Sequence, residues 1–250
     1  MLRVQAGIAW PWYEVRDRGR DGARRDRCGS TPPPKGLTPL QTDRLAHEEL
    51  RRISAGTLTH YERDPEGFWV GTRHHDVGQN YAALLSRIEG PAPFSLLDFG
   101  CGPGRDLRYF KSIGHEPTGL DGCARFCEMA RAHSGCPVLH QDFLELALPP
   151  GAFDGIFANA SLFHVPSQEI RRVLGELCAS LKPRGVLFCS NPRGHDEEGW
   201  SSGRYGCFYQ LGTWRGHLTA AGFVELAHYY RPENEPPERQ PWLATVWRRR

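Results

Sequence analysis

The sequence predicts an α/β fold: a doubly wound, mostly parallel sheet of seven strands with an antiparallel edge strand, in a single domain. Three observations predict it. Strand-like and helix-like segments alternate from residue 94 to residue 221, the pattern of a parallel sheet covered on both faces. Ser95-Leu-Leu-Asp-Phe-Gly-Cys-Gly-Pro-Gly-Arg105 is a buried-strand pattern that runs at once into closely spaced glycines. The final strand segments, 223–230 and 242–247, are joined by a Pro/Glu-rich loop with no room for a crossover helix, so they should pair antiparallel.

Residues 1–41 are rich in Arg, Gly and Pro and too poor in apolar residues to offset ordering entropy, so they are expected to be a disordered tail. Asp17, Asp21 and Asp26 interrupt its positive charge and weigh against a nucleic-acid arm. The domain is expected over 42–250, with a helical lid over 42–92. In the lid, Leu45, Glu48, Glu49 and Ile53 suggest a short amphipathic helix, and an aromatic-rich segment with Pro65 and Gly67 follows it. Val77, Tyr81, Leu84, Leu85 and Ile88 stand at helical spacing, with Asp76 as N-cap. The alternating part gives strands at 94–99, 116–121, 138–140, 153–158 and 186–190. Its helices fall at 105–113, 124–132 and 168–181, the last with an apolar stripe of Ile170, Val173, Leu174, Leu177 and Leu181. A further helix spans 214–221 and is stopped by Gly222.

Net charge is +2 and hydrophobic content 39%, which gives no case for nucleic acid or membrane binding. Eight cysteines occur without a CxxC pair, favouring reduced, buried thiols and a cytoplasmic location over disulfides or zinc. No metal is expected.

In an open sheet of this kind, ligands bind at the carboxyl ends of the strands, at the switch point of strand order. Gly100, Gly102 and Gly104 fall there, where a chain without side chains can approach a ligand closely. The spacing is GxGxG rather than GxGxxG, and Asp98 stands two residues before the first glycine. A carboxylate there repels a pyrophosphate but welcomes the amino group of a methionine moiety, which moves the balance from nicotinamide to S-adenosylmethionine. Asp121 ends the second strand, 23 residues after Asp98, and suits ribose hydroxyls. At the end of the third strand, Asp142 and Phe143 offer an acceptor and a ring for adenine.

With these residues in register, the chain resembles the Rossmann-fold S-adenosylmethionine-dependent methyltransferases over roughly residues 58–249. The resemblance implies that Asp98, Gly100, Cys101 and Gly102 hold the methionine part, Asp121 and Gly122 the ribose, and Asp142 with Phe143 the adenine. It places Asn159 beside the sulfonium and its methyl, and Tyr61 as a cap on the cofactor. Segments 68–80, 161–167, 190–200 and 203–206 look like the C-terminal methyltransferase domain of ovothiol-synthesising enzymes. That resemblance implies methylation of an imidazole nitrogen of thiohistidine, and a separate sulfoxide synthase acting in the same pathway.

Those segments suit a small zwitterion. Arg73 and Arg193 can pair with a carboxylate and Asp76 or Asp196 can receive an ammonium, although Arg193 has Glu197 and Glu198 nearby in sequence and Asp76 has its capping role. Asn80 and Asn191 complete the polar set, and Trp69, Phe163 and Tyr205 either wall the pocket or belong to the core. His164 is a candidate base or a structural histidine, and His75 is a second candidate. Two other readings remain: a methyltransferase for some other small acceptor, and a cofactor-binding module without activity.

Overall fold

The computed structural model describes residues 36–40 and 45–250, so of the tail expected over residues 1–41 only 36–40 lie among the described residues. Helix α1 (His47–Arg63) is longer than its short amphipathic pattern suggested and continues to the residue before Asp64. Helix α2 (Pro65–Thr72) follows at once. Its Pro65 stands in the first turn, where a missing N–H costs nothing, and the Asp64 carboxylate accepts from Gly67 N at 2.9 Å. Helix α3 (Gly78–Leu85) begins beside Asp76, whose Oδ1 accepts from Gly78 N at 3.0 Å.

The main sheet holds β2 (Ser95–Phe99), β3 (Glu116–Asp121), β4 (Val138–His140), β5 (Phe153–Asn159), β6 (Leu181–Pro192), β9 (Phe223–Arg231) and β10 (Trp242–Arg249). Its order is β4-β3-β2-β5-β6-β10-β9. Strands β2 to β6 pair in parallel, and β10 runs antiparallel to both β6 and β9. The reversed strand is therefore wedged between β6 and β9, one place in from the edge.

Helices α4 (Arg105–Ser112), α5 (Ala124–Ser134), α6 (Ile170–Ser180) and α7 (Leu211–Ala220) complete the covering layers. Successive residues of a strand point to opposite faces, and the core divides accordingly. Leu97, Ile156 and Leu187 pack with the buried stripe of α6 and with Trp214. Leu96, Phe157 and Phe188 pack with Leu84 and Phe110. The seven cysteines among the described residues are free thiols. No described helix is long and apolar enough to cross a membrane.

The sequence reading left out a second, small sheet built on a hairpin of β7 (Glu197–Ser201) and β8 (Arg204–Phe208). Ser201 pairs with Arg204, so Ser202 and Gly203 form a two-residue loop with φ of 50° and 80°. Positive angles at both positions match the right-handed twist of the strands. Strand β1 (Gly36–Pro39) pairs with β7, so residues assigned to the tail add a strand to this small sheet.

Candidate functional site

A cleft opens at the carboxyl ends of β2, β3 and β5. Helix α1 roofs it with Ser54, Thr57, Leu58 and Tyr61, whose spacing puts them on one helical face. The floor is the glycine turn after β2. Gly100 and Gly102 have φ of 77° and 51°, in the left-handed region. A Cβ at Gly100 would overlap Ser161, so the chain passes here only without a side chain. Cys101 between them turns into a buried cluster with Cys127 and Cys136, and burial pushes its thiol up. It therefore offers the cleft only its backbone.

Asp98 is 2% exposed, and its Oδ2 has no hydrogen-bond partner among the described residues. Burial raises its carboxyl well above the usual range, the charges of Asp106 and Asp121 adding to this and Arg105 opposing it. The Arg105 guanidinium is held in two prongs by Asp106 at 2.7 and 2.8 Å, and Asp106 also accepts from the Tyr81 hydroxyl. A cation arriving near Asp98 would therefore find an acceptor already in place.

Asp121 lines the cleft and accepts from Gly102 N and Cys123 N, both at 2.9 Å. Burial pushes its carboxyl up to about 6 against these donors. Each of its oxygens uses one lone pair on the backbone and keeps another for a hydroxyl. Gly122 lies beneath Leu58, whose Cδ2 would stand 2.8 Å from a Cβ at that position. Asp142 accepts from the Ser54 hydroxyl at 2.6 Å and from Leu144 N at 2.8 Å. Phe143 stacks on Phe99 at 4.2 Å and lines the cleft.

Both ring nitrogens of His164 are engaged. Nδ1 lies 2.7 Å from the Tyr205 carbonyl and must donate to it, leaving Nε2 to accept from the Tyr61 hydroxyl at 2.8 Å. Burial lowers its pKa to about 3, Arg204 and His60 adding to the effect, while burial pushes Tyr61 up to about 12. Arg204, from the hairpin, stands 5.5 Å from the Tyr61 ring centre. This geometry makes His164 a neutral holder of Tyr61, and the role of base expected for it has no open nitrogen.

Asn159 ends β5. The next residue, Ala160, has φ of 61°, a strained angle for a residue with a Cβ. Ser161, lining the cleft beyond it, has a buried Oγ without a partner among the described residues. Asn159 Oδ1 accepts from Asn80 Nδ2 at 2.9 Å, so these two expected residues meet. Asn191 does not join them. Asn159 pairs with Ser190 and shares its face of the sheet, which turns the neighbouring Asn191 to the opposite face.

The remaining expected residues lie apart from the cleft. Trp69 stacks on His133 at 4.5 Å, and its neighbour Phe68 lines the cleft instead. Arg73 and Asp76 are exposed, Arg73 donating to His74 at 3.1 Å. His75 is half-buried, its pKa lowered by burial and by Arg105. Arg193 lies exposed over the Tyr230 ring and donates to the Gln240 carbonyl at 2.9 Å. Phe163 is a core residue against His164 and Phe208, and Tyr205, within β8 of the hairpin, is 4% exposed. The sequence reading missed Ser54, Leu58, Phe68, Phe126 and Ser161 in the lining. The shared helical face of Ser54, Leu58 and Tyr61 was a signal that could have found two of them.

Residues 97–189 match the methyltransferase domain family. An uncharacterised methyltransferase of Geobacillus kaustophilus is 25% identical over 140 residues, which are 55% of this chain and 64% of that protein. The trans-aconitate 2-methyltransferase of Paracidovorax citrulli is 34% identical over 118 residues, 46% of this chain and 45% of that protein. The chain thus spans less than two thirds of the length of these curated relatives. Among solved structures, the 1,6-didemethyltoxoflavin-N1-methyltransferase of Burkholderia thailandensis, with 1,6-didemethyltoxoflavin and S-adenosylhomocysteine bound, aligns with a TM-score of 0.67 at 21% identity. It covers 85% of this chain and 94% of its own. The fold is therefore that of the Rossmann-like methyltransferases, and the cleft fits S-adenosylmethionine as cofactor.

Proposed function

We propose that this chain, which carries the fold of the S-adenosylmethionine-dependent methyltransferases, is itself such an enzyme and acts on a small molecule. The observation that carries this reading is the unpartnered Asp98 oxygen at the foot of a left-handed glycine turn, with Asp121 at the end of the next strand. Asp98 would take the ammonium of the methionine part, Asp121 the ribose hydroxyls, and Asp142 and Phe143 the adenine. When bound, the cofactor supplies a methyl already activated on a sulfonium. The chain's own work is to bind, to align an acceptor lone pair behind that methyl and to exclude water beneath α1 and Tyr61. The new bond forms as the carbon–sulfur bond breaks, and the positive charge passes to the acceptor. An azole then loses its N–H proton to solvent, because His164 is already engaged at both nitrogens.

The finer reading is an imidazole nitrogen of a thiohistidine-like amino acid. It is supported by the four segments that resemble the ovothiol-type domain and by the polar group of Asn80, Asn159, Tyr229 and Arg231 at the end of β5. On this reading a separate cytoplasmic sulfoxide synthase supplies the substrate. Calorimetry with S-adenosylhomocysteine, together with transfer of labelled methyl to thiohistidine, histidine and trans-aconitate, tests both levels. Absence of binding removes the enzyme reading, and transfer to trans-aconitate but not thiohistidine removes the finer one.

A further inference from the structure

The side chain of Asn159 is held in one orientation by residues from two distant parts of the chain. Arg231, at the end of β9, donates from Nη1 to Asn80 Oδ1 at 3.0 Å and from Nη2 to the Asp76 carbonyl at 2.8 Å. Tyr229 donates its hydroxyl to the same Asn80 oxygen at 2.9 Å. A guanidinium can only donate, so turning over the Asn80 amide would set its NH2 against the cation. Asn80 is 2% exposed, and water cannot make good such a mismatch. Its oxygen therefore faces Arg231 and its NH2 faces Asn159, which must answer with Oδ1, 2.9 Å away. By elimination, the free edge of Asn159 is its NH2, and among the described residues those N–H groups meet no partner.

We infer that Arg231 acts through Asn80 as a positioning residue that makes Asn159 present N–H donors at the carboxyl end of β5. Asn159 would thereby favour an acceptor that presents an anionic sulfur or oxygen at that point. The inference rests on the methyl-transfer reading and narrows its substrate class. A donor there can hold a thiolate or carboxylate oxygen and leave the neighbouring lone pair free for the methyl. It would find nothing to bind on an acceptor that offers only N–H groups at that point.

The test uses the full ¹⁵N-labelled chain, with the side-chain NH2 signals assigned through Asn80→Asp and Asn159→Asp. In the free protein, the Asn80 pair should exchange slowly with water and the Asn159 pair quickly. Arg231→Leu should shift the Asn159 pair, whereas Arg231→Lys, which keeps a donor-only cation, should largely restore it. With S-adenosylhomocysteine bound, 5-thiohistidine should slow exchange of the Asn159 pair and bind at least tenfold more tightly than histidine. Asn159→Asp should erase that difference. A slowly exchanging Asn159 pair that Arg231→Leu leaves unmoved overturns the positioning role. Equal binding of the two amino acids, or no response of Asn159 to either, overturns the selection. Failure of S-adenosylhomocysteine to bind would instead remove the methyl-transfer reading, and the Arg231 arrangement would stand on its signals in the free protein.

Discussion

Asp121→Asn keeps the shape of the cleft and removes its most informative charge. In the folded protein the Asp121 carboxyl is pushed up to about 6 by burial, from an ordinary value of 3.8. Between those values the folded state holds a proton that the unfolded chain releases, so stability falls as pH rises across the window and is flat above it. The whole span corresponds to about 3 kcal/mol. Of this, about 1 kcal/mol should appear between about pH 7.5 and about pH 5. The amide carries no such charge, but it can accept from only one of Gly102 N and Cys123 N, both now 2.9 Å from the carboxylate. The donor left facing NH2 costs about 1–3 kcal/mol. At neutral pH the two effects nearly cancel, and the variant should lie within about 2 kcal/mol of the parent. Urea unfolding at several pH values should show the parent gaining stability relative to the variant as pH falls toward about 5. Cofactor binding should move the other way. Loss of a charged acceptor for the ribose hydroxyls should weaken S-adenosylhomocysteine about ten- to hundredfold at neutral pH. In the parent, affinity should drop about tenfold per pH unit below the Asp121 pKa, a slope the variant lacks. A stability difference that does not change with pH, or unchanged affinity in the variant, refutes the reasoning.

Gly100→Ala places a Cβ at φ of 77° and against Ser161, and should cost about 3 kcal/mol in urea unfolding together with measurable loss of S-adenosylhomocysteine affinity. A neutral substitution would mean that the turn is not as tight as described. His164, held near a pKa of about 3, should keep a neutral ring protonated at Nδ1 throughout the range in which free histidine titrates, and nitrogen-detected NMR would reveal a titration near neutrality if this is wrong. The sign is that of a lowered histidine: its contribution to stability is present above the unfolded value and is lost as pH falls below it. Arg105→Ala leaves Asp106 and the buried Asp98 without their shared cation and should destabilise by about 3–5 kcal/mol. Arg105→Ala combined with Asp106→Asn should recover part of that loss, and failure to do so would show that the charge is not its cause.

Much of the fold was legible because its signals are local. The stripe of α6, the β2 strand and the glycines after it each declare themselves within about ten residues. Asp98, Asp121 and Asp142 stand at or just beyond strand ends, so placing the strands also placed Asp121 and Asp142 in the cleft lining and Asp98 buried just before the glycine turn. The hairpin of β7 and β8 was harder, because Glu197, Glu198 and two glycines give its strands little apolar alternation. Only the pair Ser202-Gly203 marked the turn.

By itself, then, the sequence determined the sheet, the left-handed turn and the acids at the strand ends beside the cleft. All of these follow from backbone permissiveness and short-range hydrophobic pattern. Tertiary structure alone decided which polar residues meet. It set Asn159 against Asn80 and put Asn191 on the other face, sent Arg193 to Tyr230, closed both nitrogens of His164 and brought Arg231 to Asn80 from 151 residues away. These contacts join segments remote in sequence, and no local periodicity encodes which side chain another will find once the strands have taken their order.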